Sequence, residues 1–262
     1  MTSAATRTLP QSLVTALAEL AAGPQLLLGL DFDGVLAPIV LRPRDARALP
    51  ESRDALHALA RLPGVRVALV SGRPLDELAE LAEPPPEAVL IGSHGAQSTL
   101  PLGVPAGDHD LDLLARLAAE LDRIVAAHPG TGVERKPAGV VLHTRRAERP
   151  VAASAARAAL AGPATWPGVH LTEGKEVVEL AVTDVTKGSA LAALRVRLGL
   201  PRGGVLYAGD DVTDERAFAV LDDDAGDVTV KVGAGDTVAR HRIDDPVAVT
   251  RLLTTLLGLR SG

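Results

Sequence analysis

The sequence predicts an α/β protein in which a parallel sheet is covered by helices and interrupted by a smaller α+β insertion. Three observations predict it. Apolar runs without alternation, such as Leu26 to Leu30 and Val65 to Val70, read as strands buried on both faces. Helical patterns with an apolar stripe alternate with those runs. Near residue 103 that rhythm gives way to helix, strand, strand, repeated twice, and the βα alternation resumes at Lys187.

Residues 11–22 read as a short amphipathic helix leading into the first strand. Pro50 suits the first turn of a helix, Leu56, Leu59, Ala60 and Leu62 supply its apolar face, and Pro63-Gly64 ends it. Val65 to Val70 is the second strand. Pro74 opens a helix carrying Leu75, Leu78 and Leu81, which Pro84-Pro85-Pro86 stops, and residues 88–91 form a short strand. The pattern breaks over 103–107. A helix is expected over 109–128, strands over 132–135 and 140–143, an alanine-rich helix over 147–160, and strands over 169–172 and 177–182. A helix then covers 188–198 and a strand 204–208. Residues 1–102 with 183–262 are therefore expected to form the core domain, and 103–182 the insertion, as two packed modules joined by two short hinges.

Composition narrows the function. Hydrophobic residues make up 47% of the 262, but aromatic residues only 2%, so the core must be built from Leu, Val and Ala. With no cysteine there is no disulfide, thiolate metal site or thiol nucleophile. The net charge of −6 argues against a nucleic-acid partner, which rewards basic patches. Met1 to Pro10 leads into no hydrophobic signal core, and no apolar run approaches the ~18 residues of a membrane span. A soluble, cytoplasmic protein is expected.

The first strand ends in Asp31-Phe32-Asp33-Gly34-Val35. Residues two apart on a strand share a face, and two acids so close must be solvated, protonated or neutralised by a cation. A hard divalent metal would do this, as would a nucleophile beside an acid/base. Two further strands end in polar tips, Ser71-Gly72-Arg73 and Gly209-Asp210-Asp211-Val212-Thr213-Asp214-Glu215, and Lys187-Gly188 opens a helix between them. In an open parallel sheet ligands bind beyond the carboxyl ends of the strands, so these tips could face one crevice.

The order DxDGV, SGR, KG and GDDxTDE resembles the four motifs of the haloacid dehalogenase superfamily of phosphotransferases. The finer wording, Asp31 to Ile39, Gly92-Ser93-His94-Gly95-Ala96, Lys187 to Leu191 and Gly209 to Glu215, is similar to the trehalose-6-phosphate phosphatases. One departure is Val35, where the first motif often carries threonine. The resemblance implies a Rossmann-like core with a cap inserted between the second and third motifs, and Mg²⁺-dependent hydrolysis of trehalose 6-phosphate through an aspartyl-phosphate.

Residue by residue, the resemblance makes Asp31 the nucleophile and Asp33 the acid that protonates the leaving sugar and then deprotonates water. Asp31 and Asp210 would hold Mg²⁺ through carboxylates and Asp33 through its backbone carbonyl. Asp211 and Asp214 would act behind the ion or orient Lys187, Asp214 being equally suited to cap the following helix. Ser71 and Gly72 would bind phosphate with Lys187, Arg73 would reach phosphate or sugar, and His94 would line the crevice. In the insertion, Glu134, Lys136, Arg145, Lys175 and Glu179 fall in segments that resemble the sugar-contacting parts of the family. Charged donors and acceptors suit a polyol, because unpaired buried hydroxyls are costly.

Alternatives within the same chemistry are phosphatases of sucrose phosphate or of mannosyl- or glucosyl-phosphoglycerate. A catalytically silent sugar-phosphate sensor is the alternative from another class. A trehalose-phosphate synthase partner is neither indicated nor excluded. Asp222-Asp223-Asp224 reads as a solvated loop, and Trp166 as packing in the insertion or marking a turn.

Overall fold

A computed structural model describes residues 8–102, 108–136, 138–174 and 176–262. In chain order the elements are α1 (Gln11–Ala22), β1 (Leu26–Leu30), α2 (Pro50–Ala60), β2 (Val65–Val70), α3 (Leu75–Ala82), β3 (Val89–Gly92) and β4 (Gln97–Ser98). There follow α4 (Asp108–Ala127), β5 (Gly132–Lys136), β6 (Gly139–His143), α5 (Arg149–Ala161), β7 (His170–Gly174) and β8 (Val177–Ala181). The chain then runs through α6 (Lys187–Arg197), β9 (Val205–Gly209), α7 (Glu215–Phe218), β10 (Val228–Val232), β11 (His241–Ile243) and α8 (Pro246–Ser261). Contacts divide it into two units, Met1–Leu102 with Thr186–Gly262, and Gly103–Val185.

The first unit is built on a seven-stranded sheet of order β11-β10-β9-β1-β2-β3-β4. Its pairs are parallel except β3 with β4, which is antiparallel. β1, β9 and β10 are buried along their whole length. That explains why their sequences show apolar runs rather than alternation. One apolar cluster unites Leu28 and Leu30 with α1, α2 and α8, and another unites Leu27 and Tyr207 with Leu191, Leu194 and Phe218. From β1 the chain steps outward to β4 on one side, and from β9 outward to β11 on the other. Strand order therefore reverses between β1 and β9, where open α/β sheets form their ligand crevice.

Several boundaries differ from the sequence reading, each for a local reason. α6 begins at Lys187, because Thr186 caps it and pairs reciprocally with Ser189 in a capping box. β3 starts at Val89, since Ala88 N–H closes a turn onto Pro85. The helix after Asp214, expected over 215–220, is a single turn ending at Phe218. Asp222 to Asp224 is not merely solvated: Asp222 caps a 3-10 turn, Asp223 accepts from the N–H and hydroxyl of Thr229, and Asp224 pairs with Arg240.

The second unit is a four-stranded antiparallel sheet of order β5-β6-β8-β7 with α4 and α5. Leu117, Leu121, Val140, Leu142, Ala155, Val178 and Leu180 make its core. Trp166 packs against that core, with the Arg116 guanidinium 4.8 Å from its ring centroid. Register aligns Glu134 with Val141, Glu179 and Thr172, and Lys136 with Gly139, Ala181 and His170. Because strands alternate faces, Glu134, Lys136, His143 and Glu179 share the face opposite Val140, Leu142, Val178 and Leu180. Among the described residues no helix is long and apolar enough to cross a membrane.

Candidate active site

β1 stops at Leu30, so strand pleat does not set the relation of Asp31 to Asp33. Instead the chain turns at once: Leu36 and Ala37 N–H both donate to Phe32 O, and Gly34 N–H to Ala37 O. The turn separates the two acids by environment. Asp31 is 5% exposed, whereas the Asp33 side chain keeps about a third of its surface in water.

Asp31 Oδ1 accepts from Phe32 N–H at 2.6 Å, and Oδ2 accepts from Lys187 Nζ at 2.6 Å. Lys187, 2% exposed, also donates to Asp214 Oδ1 at 2.7 Å. Gly188 permits this placement of α6: a β-carbon there would stand 2.1 Å from the Arg216 carbonyl oxygen. Burial pushes the Asp31 carboxyl up, and Lys187 only partly opposes the shift. Burial by itself would lower Lys187, but Asp31 and Asp214 outweigh it and hold the ammonium charged.

Asp214 is fully buried and its carboxylate is saturated. Oδ1 accepts from Lys187 and from the Tyr207 hydroxyl at 2.7 Å, and Oδ2 accepts from Asp210 N–H at 3.1 Å and Asp211 N–H at 3.0 Å. Its side chain makes no cap hydrogen bond to α7. Its hydrogen bonds go instead to Lys187 and to the turn that carries Asp210. Asp211 Oδ1 accepts from Val212 N–H at 2.7 Å and so braces its own turn.

Asp210 lies over Gly34, where a β-carbon would stand 2.0 Å from Asp210 Oδ2, and Gly34 has φ +73. The glycine of the first motif is thus demanded twice, by conformation and by the approaching carboxylate. Burial pushes Asp210 up to about 6, with Asp214 adding to the shift. Asp31, Asp210 and Asp214 each place an oxygen within 4.8 Å of the others. Their negative charge exceeds what Lys187 neutralises, and hard oxygen donors without sulfur fit a cation such as Mg²⁺. Since Asp214 has no lone pair left, Asp31 and Asp210 are the carboxylates that would hold it.

The second motif sits beside the first. Ser71 is 1% exposed, and its Oγ accepts from Arg73 N–H at 3.2 Å. The GSHG turn clamps this loop: Ser93 N–H donates to Arg73 O and His94 N–H to Ser71 O, at 2.8 and 3.0 Å. Ser93 and His94 both adopt left-handed backbone, φ 49 and 56, a strained pair of the kind found at functional sites. The His94 ring lies against Gly72, its Cε1 2.5 Å from where a β-carbon would be. Arg73, expected to reach phosphate or sugar, is engaged by protein groups here. Its guanidinium donates to both oxygens of Asp33, at 2.6 and 2.7 Å, to Glu77 at 2.7 Å and to Pro43 O at 2.9 Å.

In the second unit Lys136 Nζ pairs with Glu179 Oε1 at 2.9 Å, and His143 Nε2 lies 2.8 Å from Glu134 Oε2. Arg145, mostly exposed, pairs with Glu176 at 3.3 Å and is not on the Glu134 row. Lys175 lies outside the described residues.

Sequence reasoning passed over two buried groups here. Tyr207, the chain's one tyrosine, stands in the strand before GDD. Lys231, 3% exposed on β10, donates to the Asp210 carbonyl and lies 4.0 Å from Glu215. A signal for Lys231 existed: a lysine within Val-Thr-Val-Lys-Val, a strand buried on both faces, needs a partner.

Residues 29–250 match the family model described as trehalose-phosphatase. The trehalose-6-phosphate phosphatase of Escherichia coli (strain K12) is 34% identical over 87% of this chain and 86% of its own. A bifunctional trehalose-6-phosphate synthase/phosphatase of Thermoproteus tenax is 34% identical over 88% of this chain, which spans 32% of that longer protein. Among solved structures, Aspergillus fumigatus trehalose-6-phosphate phosphatase is similar with a TM-score of 0.71 and 27% identity, covering 97% of this chain and 99% of that one. A haloacid dehalogenase superfamily phosphatase of Bacteroides thetaiotaomicron shares the fold, with a TM-score of 0.60 at 17% identity over 97% of this chain and 100% of that one. With the acid–lysine cluster at the sheet's reversal point, the family match over residues 29–250 and the 34%-identical Escherichia coli relative place the chain: it belongs to the trehalose-phosphatase family, hydrolases of phosphoric monoesters.

Proposed function

We propose that the protein hydrolyses trehalose 6-phosphate to trehalose and inorganic phosphate. The observation that carries the reading is the buried Asp31–Lys187–Asp214 chain beside Asp210. A phosphate monoester resists attack because its anionic oxygens repel nucleophiles, and its uncatalysed hydrolysis is among the slowest known. A site for it needs cations around the phosphoryl oxygens, an aligned nucleophile and a proton for the departing oxygen. Mg²⁺ held by Asp31 and Asp210, with the Asp33 backbone carbonyl, would neutralise phosphoryl charge.

Asp31 attacks phosphorus while the bond from phosphorus to the sugar oxygen breaks, and Asp33 gives that oxygen its proton. An aspartyl-phosphate results. Water then attacks phosphorus, Asp33 takes the proton released, and phosphate leaves as Asp31 is regenerated. Lys187 favours the anionic form of Asp31 against its burial, aligns it and offsets phosphoryl charge. Ser71 and the N–H groups of the following turn bind the remaining oxygens, and His94 borders that turn.

The second unit acts as the specificity cap, in which Glu134, Lys136, Arg145, Lys175 and Glu179 read the disaccharide hydroxyls. Supporting this is the shared polar sheet face of Glu134, Lys136 and Glu179, whose charged groups match a polyol.

The test is phosphate release from trehalose 6-phosphate, sucrose 6-phosphate, glucose 6-phosphate, glucosyl- and mannosyl-phosphoglycerate and an aryl phosphate, with Mg²⁺ and with EDTA. Preference for trehalose 6-phosphate, lost in EDTA, is expected. Preference for another ester would keep the core chemistry and discard the cap assignment. A folded protein silent on all of them would be a sensor. In the same assay Asp31→Asn is expected to abolish turnover while the protein stays folded; substantial residual activity would remove Asp31 as nucleophile.

A further inference from the structure

We infer that Arg73 is a positioning residue for the leaving-group acid, holding the Asp33 carboxylate rather than binding phosphate or sugar. The inference rests on the reading of Asp33 as the acid/base given above. Arg73 is 8% exposed, yet lies in the turn just before α3, where an arginine with no task would extend into water. All three guanidinium nitrogens are engaged. Nε donates to Asp33 Oδ2 at 2.6 Å and Nη2 to Asp33 Oδ1 at 2.7 Å, a two-point grip on a planar carboxylate that a lysine cannot reproduce. Nη1 donates to Glu77 Oε1 at 2.7 Å, and Nη2 also to Pro43 O at 2.9 Å. The guanidinium carbon stands 5.4 Å from the Phe32 ring centroid, between the two motif acids in sequence.

The arginine is therefore itself held on several sides, by α3, by the loop at Pro43 and by the first motif. A group that is fixed so thoroughly can fix another. Asp33 needs such help, because it stands outside the sheet in a turn and its side chain is about one-third exposed. Without a restraint the carboxylate would sample rotamers away from the departing oxygen, and small misplacements of a reacting group are costly. The grip uses one lone pair on each Asp33 oxygen, and a carboxylate has about four such sites. The outer lone pairs remain available to carry the proton passed to the leaving sugar and later taken from water.

The alternatives give different signatures. An arginine that bound phosphate would matter equally for every phosphate ester. One that merely tied Pro43 to α3 would affect the fold and would not distinguish leaving groups. A positioning residue for the acid matters where the leaving oxygen needs a proton, as in an alkyl sugar ester. It matters little where the leaving group is a stable phenolate, as in 4-nitrophenyl phosphate.

The experiment is single-turnover cleavage of trehalose 6-phosphate and of 4-nitrophenyl phosphate by the full chain with Mg²⁺. It compares wild type, Arg73→Lys, Arg73→Ala and Asp33→Asn, each checked for folding by thermal unfolding. Arg73→Lys keeps the charge and decides the matter if Arg73→Ala does not fold. Cleavage of the sugar ester is expected to slow by about tenfold or more in Arg73→Lys. First-turnover phenolate release should stay within about twofold of wild type, and combining Arg73→Lys with Asp33→Asn should add little to Asp33→Asn alone. Equal losses on both esters, while Asp33→Asn discriminates between them, would overturn the role of Arg73 alone. If Asp33→Asn also fails to discriminate, Asp33 is not the leaving-group acid, and the underlying reading falls with the inference.

Discussion

Lys187 and Asp31 are 156 positions apart in sequence, yet Lys187 Nζ stands 2.6 Å from Asp31 Oδ2 with both side chains almost wholly out of water. A buried ammonium shared between two buried carboxylates is stable only as a set. Lys187→Met should leave Asp31 and Asp214 facing each other without their cation. Breaking a buried pair costs about 3–5 kcal/mol, so a large drop in the denaturation midpoint is expected together with loss of turnover. An unchanged midpoint in chemical denaturation would show that the ammonium does not hold the cluster together.

The acids of the site also make stability depend on pH. Asp210 is pushed up to about 6, mainly by burial and then by Asp214, whereas an unfolded aspartate titrates near pH ~4. Between those values the folded protein binds more protons than the unfolded chain. The metal-free protein should therefore lose stability as pH rises from about 4 through about 6. Burial of Asp31 acts in the same direction. A divalent cation competes with those protons, so Mg²⁺ should raise the melting temperature more at pH 7.5 than at pH 5. Thermal unfolding with and without Mg²⁺ at both pH values checks this, and equal gains would contradict it.

Gly34 is the narrowest point of the first motif. Gly34→Ala places a methyl 2.0 Å from the present position of Asp210 Oδ2 and forces a side chain into φ +73. A left-handed alanine costs about 1–2 kcal/mol, and Asp210 must also move. Turnover should fall at least about a hundredfold, given the cost of misplacing a reacting centre, and more Mg²⁺ should be needed for half-maximal activity. A variant with wild-type Mg²⁺ dependence would show that Asp210 can hold its place without that contact.

Glu134→Ala removes the partner of His143 from the polar face of the second unit. Activity on trehalose 6-phosphate should fall by about tenfold or more, since a site built to bond hydroxyls discriminates strongly. Activity on 4-nitrophenyl phosphate should be nearly unchanged. Equal losses on both would mean that Glu134 supports its sheet rather than reads sugar.

Much of the core was legible because its signals are local. Val65 to Val70 reads as a strand from its own six residues, and the structure places β2 there, buried at every position except Arg66. Asp31, Ser71 and Asp210 were visible as polar tips of apolar runs, and Lys187 at the opening of the helical pattern between the second and third of them. The Arg73 grip on Asp33 was not legible, because the partners are 40 positions apart and meet only through a turn that strand periodicity does not describe. Tyr207 was hidden for a similar reason: an aromatic in a strand reads as core, and only the approach of Asp214 gives its hydroxyl a task.

By itself, the sequence determined which groups carry charge, in what order they occur and which runs are apolar enough to be strands. Those properties belong to single residues and short windows, where hydrophobic periodicity acts directly. The tertiary structure decided which carboxylate is saturated and which stays open, that Asp214 bonds Lys187 and makes no side-chain cap bond to α7, and that Arg73 faces Asp33. The physical reason is that hydrogen-bond saturation and desolvation depend on everything within a few ångströms, and chain folding brings those neighbours from distant positions.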